Sequence, residues 1–157
     1  MNKYVSDLFN LKNKNIVIIG AGGHICSQIA KSLSKCGTNI ALLDIRYSKV
    51  KKLKEELVKN SKNQIISIKF DATKLTHHKL ALKKILNKFN TIDVLINGSG
   101  INSAVPFFKI TSKSWQKVID SQLTATFYGC QIFGNNMINN SKGSIINISS
   151  ASAYPPL

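Results

Sequence analysis

The chain has 157 residues, 43% of them hydrophobic and 18% charged, a length that suits one domain and supports a core of useful size. No apolar run approaches the ~20 residues that span a membrane, and three cysteines without a Cys-x-x-Cys pair speak against a disulfide framework or a thiolate metal site; no metal is expected. The balance of 22 basic against 7 acidic residues, net +15, raises nucleic acid as a partner. The basic residues, however, are nearly all lysine, Arg46 is the single arginine, and no exposed aromatics interleave with them. Lys49, Lys51, Lys52, Lys54 and Lys59, like Lys74, Lys79, Lys83, Lys84 and Lys88, read as solvated helix faces. The stretch from Met1 to Lys14 is polar and lacks a signal-peptide core, so a cytoplasmic location is expected, with no membrane partner.

Taken in order, Asn15-Ile16-Val17-Ile18-Ile19 is a buried strand ending at Gly20. Residues 24–36 place Ile25, Cys26, Ile29, Ala30, Leu33 and Cys36 at helical spacing, with Gly37 to end the helix. A second strand, Ile40 to Leu43, ends at Asp44. Ser48 then caps a helix with Val50, Leu53, Leu57 and Val58 on one face. Gln64 to Phe70 is the third strand and ends at Asp71. Thr76 to Phe89 is helical, with Leu82, Ile85, Leu86 and Phe89 inward and His77-His78 facing solvent. Ile92 to Ile96 is the fourth strand, with Asp93 capping neighbouring backbone, and Asn97-Gly98-Ser99-Gly100 follows. Thr111 caps one long helix from about Ser112 to Met137, whose stripe carries Trp115, Val118, Ile119, Thr126, Phe133 and Met137. Trp115 and Phe127 are expected in the core or at a subunit interface. Phe107-Phe108 is expected in the core or at the start of a substrate loop. Ser144 to Ile148 is the fifth strand, leading to Ser149 and Ser150.

Strands alternating with helices require a parallel sheet covered on both faces, and right-handed crossovers give a Rossmann-type doubly wound α/β sheet ordered 3-2-1-4-5. Each strand ends in a small or polar residue, where a doubly wound sheet binds its ligand. Gly20-Ala21-Gly22-Gly23-His24-Ile25 joins strand one to a helix, and such a turn offers backbone N–H groups to a pyrophosphate. Asp44, 18 residues past Cys26 at the end of strand two, suits a carboxylate bonded to an adenosine ribose.

These motifs resemble the short-chain dehydrogenase/reductase family over nearly the whole chain. The glycine turn with His24 and Ile25 matches the family's nucleotide turn, and Asp71-Ala72 its adenine contact. Asn97, Gly98, Ser99 and Gly100 match the family's Asn-Asn-Ala-Gly. Gly143-Ser144-Ile145-Ile146-Asn147-Ile148-Ser149-Ser150 matches the fifth strand and puts the catalytic serine at Ser150. Phe9 to Lys14, Cys26 with Asn97-Gly98, and the stretch Ser149 to Leu157 are similar to sugar-acid oxidoreductases of the D-mannonate (fructuronate reductase-like) type.

The departures are Ile19 for threonine, His24 and Cys26 for glycines, and Gln122 where the family has an asparagine that positions a proton-relay water. Gln122 is read either as that relay or as a core amide with a buried partner. The family's Tyr-x-x-x-Lys pair lies a dozen or so residues beyond the serine, and Tyr154 does not match it. The resemblance implies residues 1–157 as one NAD(P)-binding domain, incomplete at its C-terminal side. It implies an oxidoreductase moving hydride to or from a sugar acid or similar alcohol or ketone, with this chain alone inactive. Asp44 would repel a 2′-phosphate, which Arg46 offsets only in part, so NAD is expected in preference to NADP. The other reading is a non-catalytic dinucleotide-binding module. A small-molecule substrate, a homo-oligomer or dependence on a partner chain are expected.

Overall fold

A computed structural model describes residues 7–150. Five parallel strands form one sheet: β1 (Asn15–Ile19), β2 (Asn39–Asp44), β3 (Ile65–Lys69), β4 (Val94–Asn97) and β5 (Ser144–Asn147), in the order β3-β2-β1-β4-β5. The helices are α1 (His24–Lys35), α2 (Tyr47–Lys59), α3 (Leu75–Phe89), α4 (Ser112–Ile119) and α5 (Ala125–Asn139). The period of two along each strand sorts side chains into two cores. Ile16, Ile18, Ile40 and Leu42 face α1 and α2 with Ala30, Val50, Leu53 and Leu57. Val17, Ile19, Ala41 and Leu43 face α3 and α5 with Ile85, Phe89, Phe133 and Met137. Both faces of β1 and β2 are therefore apolar, which is why these strands read as continuous hydrophobic runs. Fully burying each such aliphatic side chain is worth roughly 1.5–3 kcal/mol, so the three central strands anchor the domain.

Element ends follow local chemistry. Gly37 (φ +74°) turns the chain out of α1, and its N–H donates to the Ser34 carbonyl at 3.3 Å. Thr111 caps α4 in a reciprocal capping box with Ser114. Asp93 accepts from the Asn15 backbone N–H at 2.9 Å, as expected of a backbone cap, with the Lys142 ammonium 3.3 Å away.

The structure corrects several expectations. Ser48 does not cap α2, which starts at Tyr47 without a side-chain cap. Instead the Asp44 carboxylate accepts the Arg46 N–H just before it, at 2.8 Å. The single helix over 112–137 is two α-helices separated by a π-helical stretch, Asp120–Thr124. Hydroxyls compete for the carbonyls there: Ser121 donates to Val118 and Thr126 to Gln122. Trp115 and Phe127 are more than half exposed, and Phe107 and Phe108 are exposed as well, so of the two placements expected for each pair the core is excluded. His78 does not face solvent. It is fully buried, because the first turn of α3 points it back under the sheet against Phe70 and Phe133.

Among the described residues no strand pairs with the outer edge of β5, and Ile145, Ile146 and Ile148 are each over a third exposed. An apolar strand edge without charge is a template for pairing with another chain. The 157-residue chain is expected to self-associate in size-exclusion chromatography with light scattering, and Ile146→Lys to shift it towards monomer. A monomeric parent would show that the edge is not sticky.

Candidate functional site

The site forms where the C-terminal ends of β1, β2, β3 and β4 meet. Gly20 leaves β1 with φ +80°, a conformation that glycine alone adopts without strain. A Cβ at this position would stand 2.6 Å from the Gly98 carbonyl oxygen. The turn is tied to β2 on its other side. The Gly20 and Ala21 N–H groups donate to the Leu43 carbonyl, at 2.8 and 3.1 Å. The Gly22 N–H donates to Asp44 Oδ2 at 2.9 Å, and a Cβ on Gly22 would crowd that carboxylate at the same distance. Asp44 is 5% exposed, and its Oδ1 accepts from the Arg46 backbone and lies 3.3 Å from Arg46 Nε. Its charge is thus held in place by two backbone N–H groups and one guanidinium. Gly23 precedes α1 with no side-chain cap, so the first-turn N–H groups, beginning with those of His24 and Ile25, have no partner within the helix and carry its positive end.

The loop after β4 is pinned from the π-helical stretch. Ser99 Oγ donates to the Ser121 carbonyl, the Ile101 N–H donates to Ser121 Oγ, and Gln122 Nε2 donates to the Ile101 carbonyl at 2.8 Å. Gln122 is therefore no core amide: it is exposed, and its partner is a loop carbonyl. The π-helical register is what aims Ser121 and Gln122 at this loop.

Between these elements lies a cavity of about 810 Å³. Gly20, Gly23, Asp44, Asp71, Ala72, Gly98, Ser99 and Gly100 line it, all of them expected from sequence. Asp71 Oδ1 accepts from the Thr73 N–H and hydroxyl, at 3.0 and 2.7 Å, which folds the loop after β3 into the cavity wall. Other expected residues stand off it. Gly22 backs onto Asp44. Asn97 is buried behind the wall and donates to Asn147 Oδ1 at 2.8 Å. His24 and Ile25 are exposed on the first turn of α1, and Ser150 is exposed beyond β5. Tyr154 lies outside the described residues. Sequence reasoning missed Lys113, Gln116 and Lys117 of α4 and Asp120 at the start of the π-helical stretch, which line the cavity. Their i, i+3, i+4, i+7 spacing was the available signal. Among the described residues no group of three or more His, Cys, Asp or Glu could hold a metal ion.

The family model for short chain dehydrogenases matches residues 14–156. The chain belongs to the short-chain dehydrogenase family. Among relatives of this family it is 32% identical, over 94% of its length, to an uncharacterized oxidoreductase of Haemophilus influenzae. It is also 32% identical, over 93% of its length, to 5-keto-D-gluconate 5-reductase of Escherichia coli. The chain spans only 58% and 57% of these two relatives. Among solved structures, a candidate D-mannonate oxidoreductase from Haemophilus influenza with bound NAD superposes at TM-score 0.87 with 30% identity, covering 98% of this chain and 60% of that one. NAD+-bound xylitol dehydrogenase superposes at 0.88 with 26% identity, covering 93% and 57%.

One departure from the family's glycine turn, Cys26, packs against the loop after β4. A Cβ on Gly98 would overlap Cys26 Sγ, so the two positions share one space. Burial, and secondarily the Asp44 carboxylate, push the Cys26 thiol pKa upward, so it is a protonated packing group. Gly98→Ala is expected to destabilise the chain by about 1–3 kcal/mol, and Cys26→Ala to relieve a large part of that cost. A double-mutant cycle from urea melts measures the coupling, and additive effects would show that the two positions do not share the space.

Proposed function

We propose that residues 1–157 carry the cofactor-binding half of an NAD-dependent short-chain oxidoreductase acting on a sugar acid or a similar polyol. The observation that supports this most directly is the cavity itself: a glycine turn at a helix N-terminus, a buried carboxylate after β2 and the Asp71–Ala72 wall after β3 all open into one space. The residues fit a dinucleotide. Gly20 and Gly23 line the cavity with bare backbone, and the start of α1 offers N–H groups to a pyrophosphate. Asp44 would accept from ribose hydroxyls, and Asp71 with Ala72 would border the adenine. NAD, when bound, supplies a nicotinamide that accepts or donates hydride. Ser150 would hydrogen-bond the substrate oxygen. Gln122, through the Ile101 carbonyl, would hold the loop that borders the nicotinamide side. The sugar-acid reading rests on the relatives named 5-keto-D-gluconate 5-reductase and D-mannonate oxidoreductase.

The buried Asp44 carboxylate would repel a 2′-phosphate, and Arg46 offsets only part of that repulsion because it is held against the same carboxylate. Calorimetry is expected to give tighter binding of NAD than of NADP, with Asp44→Ala losing roughly tenfold in NAD affinity, about the worth of one charge-assisted hydrogen bond. Tighter NADP binding would reverse the cofactor assignment.

General acid–base assistance is worth about 10² to 10⁴ in rate, and no Tyr-x-x-x-Lys follows Ser150 within these residues. The 157-residue chain is expected to bind NAD without measurable turnover on mannonate or fructuronate. Joined to a family C-terminal segment bearing Tyr-x-x-x-Lys, it is expected to turn over, and Ser150→Ala is expected to abolish most of that rate. Cofactor binding with no turnover in the joined protein would favour a binding module. Turnover unchanged by Ser150→Ala would remove the serine from the active site.

A further inference from the structure

The two adjacent histidines at the start of α3 are unexplained by the family pattern, and both reach the loop that walls the cavity. His77 Nδ1 accepts the Asp71 N–H at 2.9 Å. His78 Nε2 stands 2.9 Å from the Ala72 carbonyl oxygen. A carbonyl only accepts, so Nε2 of His78 carries the proton and donates. An acceptor on one residue and a donor on the next thus grip the peptide units on either side of the Asp71–Ala72 pair. Phe70, Asp71, Ala72 and Thr73 all line the cavity.

His78 is a costly residue for mere packing. It is fully buried, with ring centroids 4.7 Å from Phe70, 5.7 Å from Tyr128 and 6.2 Å from Phe133. Its Nδ1 is buried without a hydrogen-bond partner. A leucine would fill such an apolar slot with no orphaned nitrogen. What histidine adds is the bond to Ala72. Burial, reinforced by His77 alongside, lowers the His78 pKa; the Ala72 bond and Asp71 act in the opposite direction. The ring therefore stays neutral in the tautomer that donates.

We propose that His77 and His78 are positioning residues that clamp the loop after β3, so that Asp71 and Ala72 present a fixed wall to the adenine end of a nucleotide in the cavity. The nucleotide part rests on the function proposed above; the clamp itself does not.

The test uses the 157-residue chain with AMP, which offers an adenine end, and nicotinamide mononucleotide, which does not. His78→Leu and His77→Leu remove the bonds while keeping apolar bulk. His78→Gln restores a donor at the Nε2 position, and His77→Asn restores an acceptor at the Nδ1 position. Each Leu variant is expected to bind AMP about tenfold more weakly, the loss of one hydrogen bond's worth of wall, with nicotinamide mononucleotide unchanged. The Gln and Asn variants are expected to return to within about threefold of the parent. Leu variants that bind AMP like the parent overturn the proposal. If a Leu variant does not fold, His78→Gln is compared with His78→Asn, whose amide stops short of Ala72, and equal AMP affinity for those two overturns it as well. Should the parent bind no AMP, the nucleotide reading fails. Amide hydrogen exchange then decides the clamp alone: faster exchange at Asp71 and Thr73 in the Leu variants supports it, and unchanged exchange overturns it.

Discussion

The close approach of the β1–α1 turn to the β4 loop is the constraint on which the rest of the site depends. Sheet order reverses at β1: the chain builds outward to β3 on one side, then returns to add β4 and β5 on the other. The loops after β1 and β4 therefore leave the sheet in opposite directions and open a crevice between them. Gly20 sits at the apex, where a Cβ would stand 2.6 Å from the Gly98 carbonyl oxygen, and the Gly98 N–H donates back to the Ile19 carbonyl at 3.0 Å. A side chain at Gly20 would push the two loops apart, and one at Gly98 would strike Cys26 on α1. The crevice is thus an outcome of backbone contact, and the polar groups around it are set by that contact.

The space beside this apex is filled by Cys26, whose Sγ lies where a Cβ on Gly98 would have to go. Interiors are packed tightly enough that a single methyl group is felt, so the residue at one of these positions limits what the other can be.

Polar side chains then hold the crevice in one shape. Asp44 is fixed by the Gly22 and Arg46 amides, the loop after β4 by Ser121 and Gln122, and the loop after β3 by Asp71 with the two histidines. Each of these bonds ends on backbone, so each fixes a loop's conformation as well as its own side chain. That is the arrangement expected of a site that binds by presenting preset N–H and carboxylate groups, with little ordering left to do when a ligand arrives. Of the +15 net charge, Lys113 and Lys117 of α4 bring part to the cavity.

The sequence by itself determined the strands, their order and the residues at their ends. Continuous apolar runs of four or five residues between turn signals suit strands buried on both faces, and the handedness of crossovers narrows the sheet orders to a few, of which 3-2-1-4-5 is the one observed. Gly20, Asp44, Asp71 and Gly98–Gly100 were legible because strand ends in such a sheet face the ligand whatever the neighbours do. Tertiary structure decided the rest. The π-helical break at Asp120–Thr124 comes with hydroxyls that compete for carbonyls, which hydrophobic spacing does not register, and Gln122 within it bonds the Ile101 carbonyl of the β4 loop. His78 reads as a solvated helix residue until α3 docks, because only the docked sheet supplies Phe70, Phe133 and the Ala72 carbonyl. The α4 face of Lys113 and Lys117 looks like any charged helix face, and becomes part of a site only through the position of the β4 loop beneath it. Local periodicity fixes which residues share a face; which other element that face meets is set by contacts between residues far apart in the chain, and these exist only once the sheet has closed.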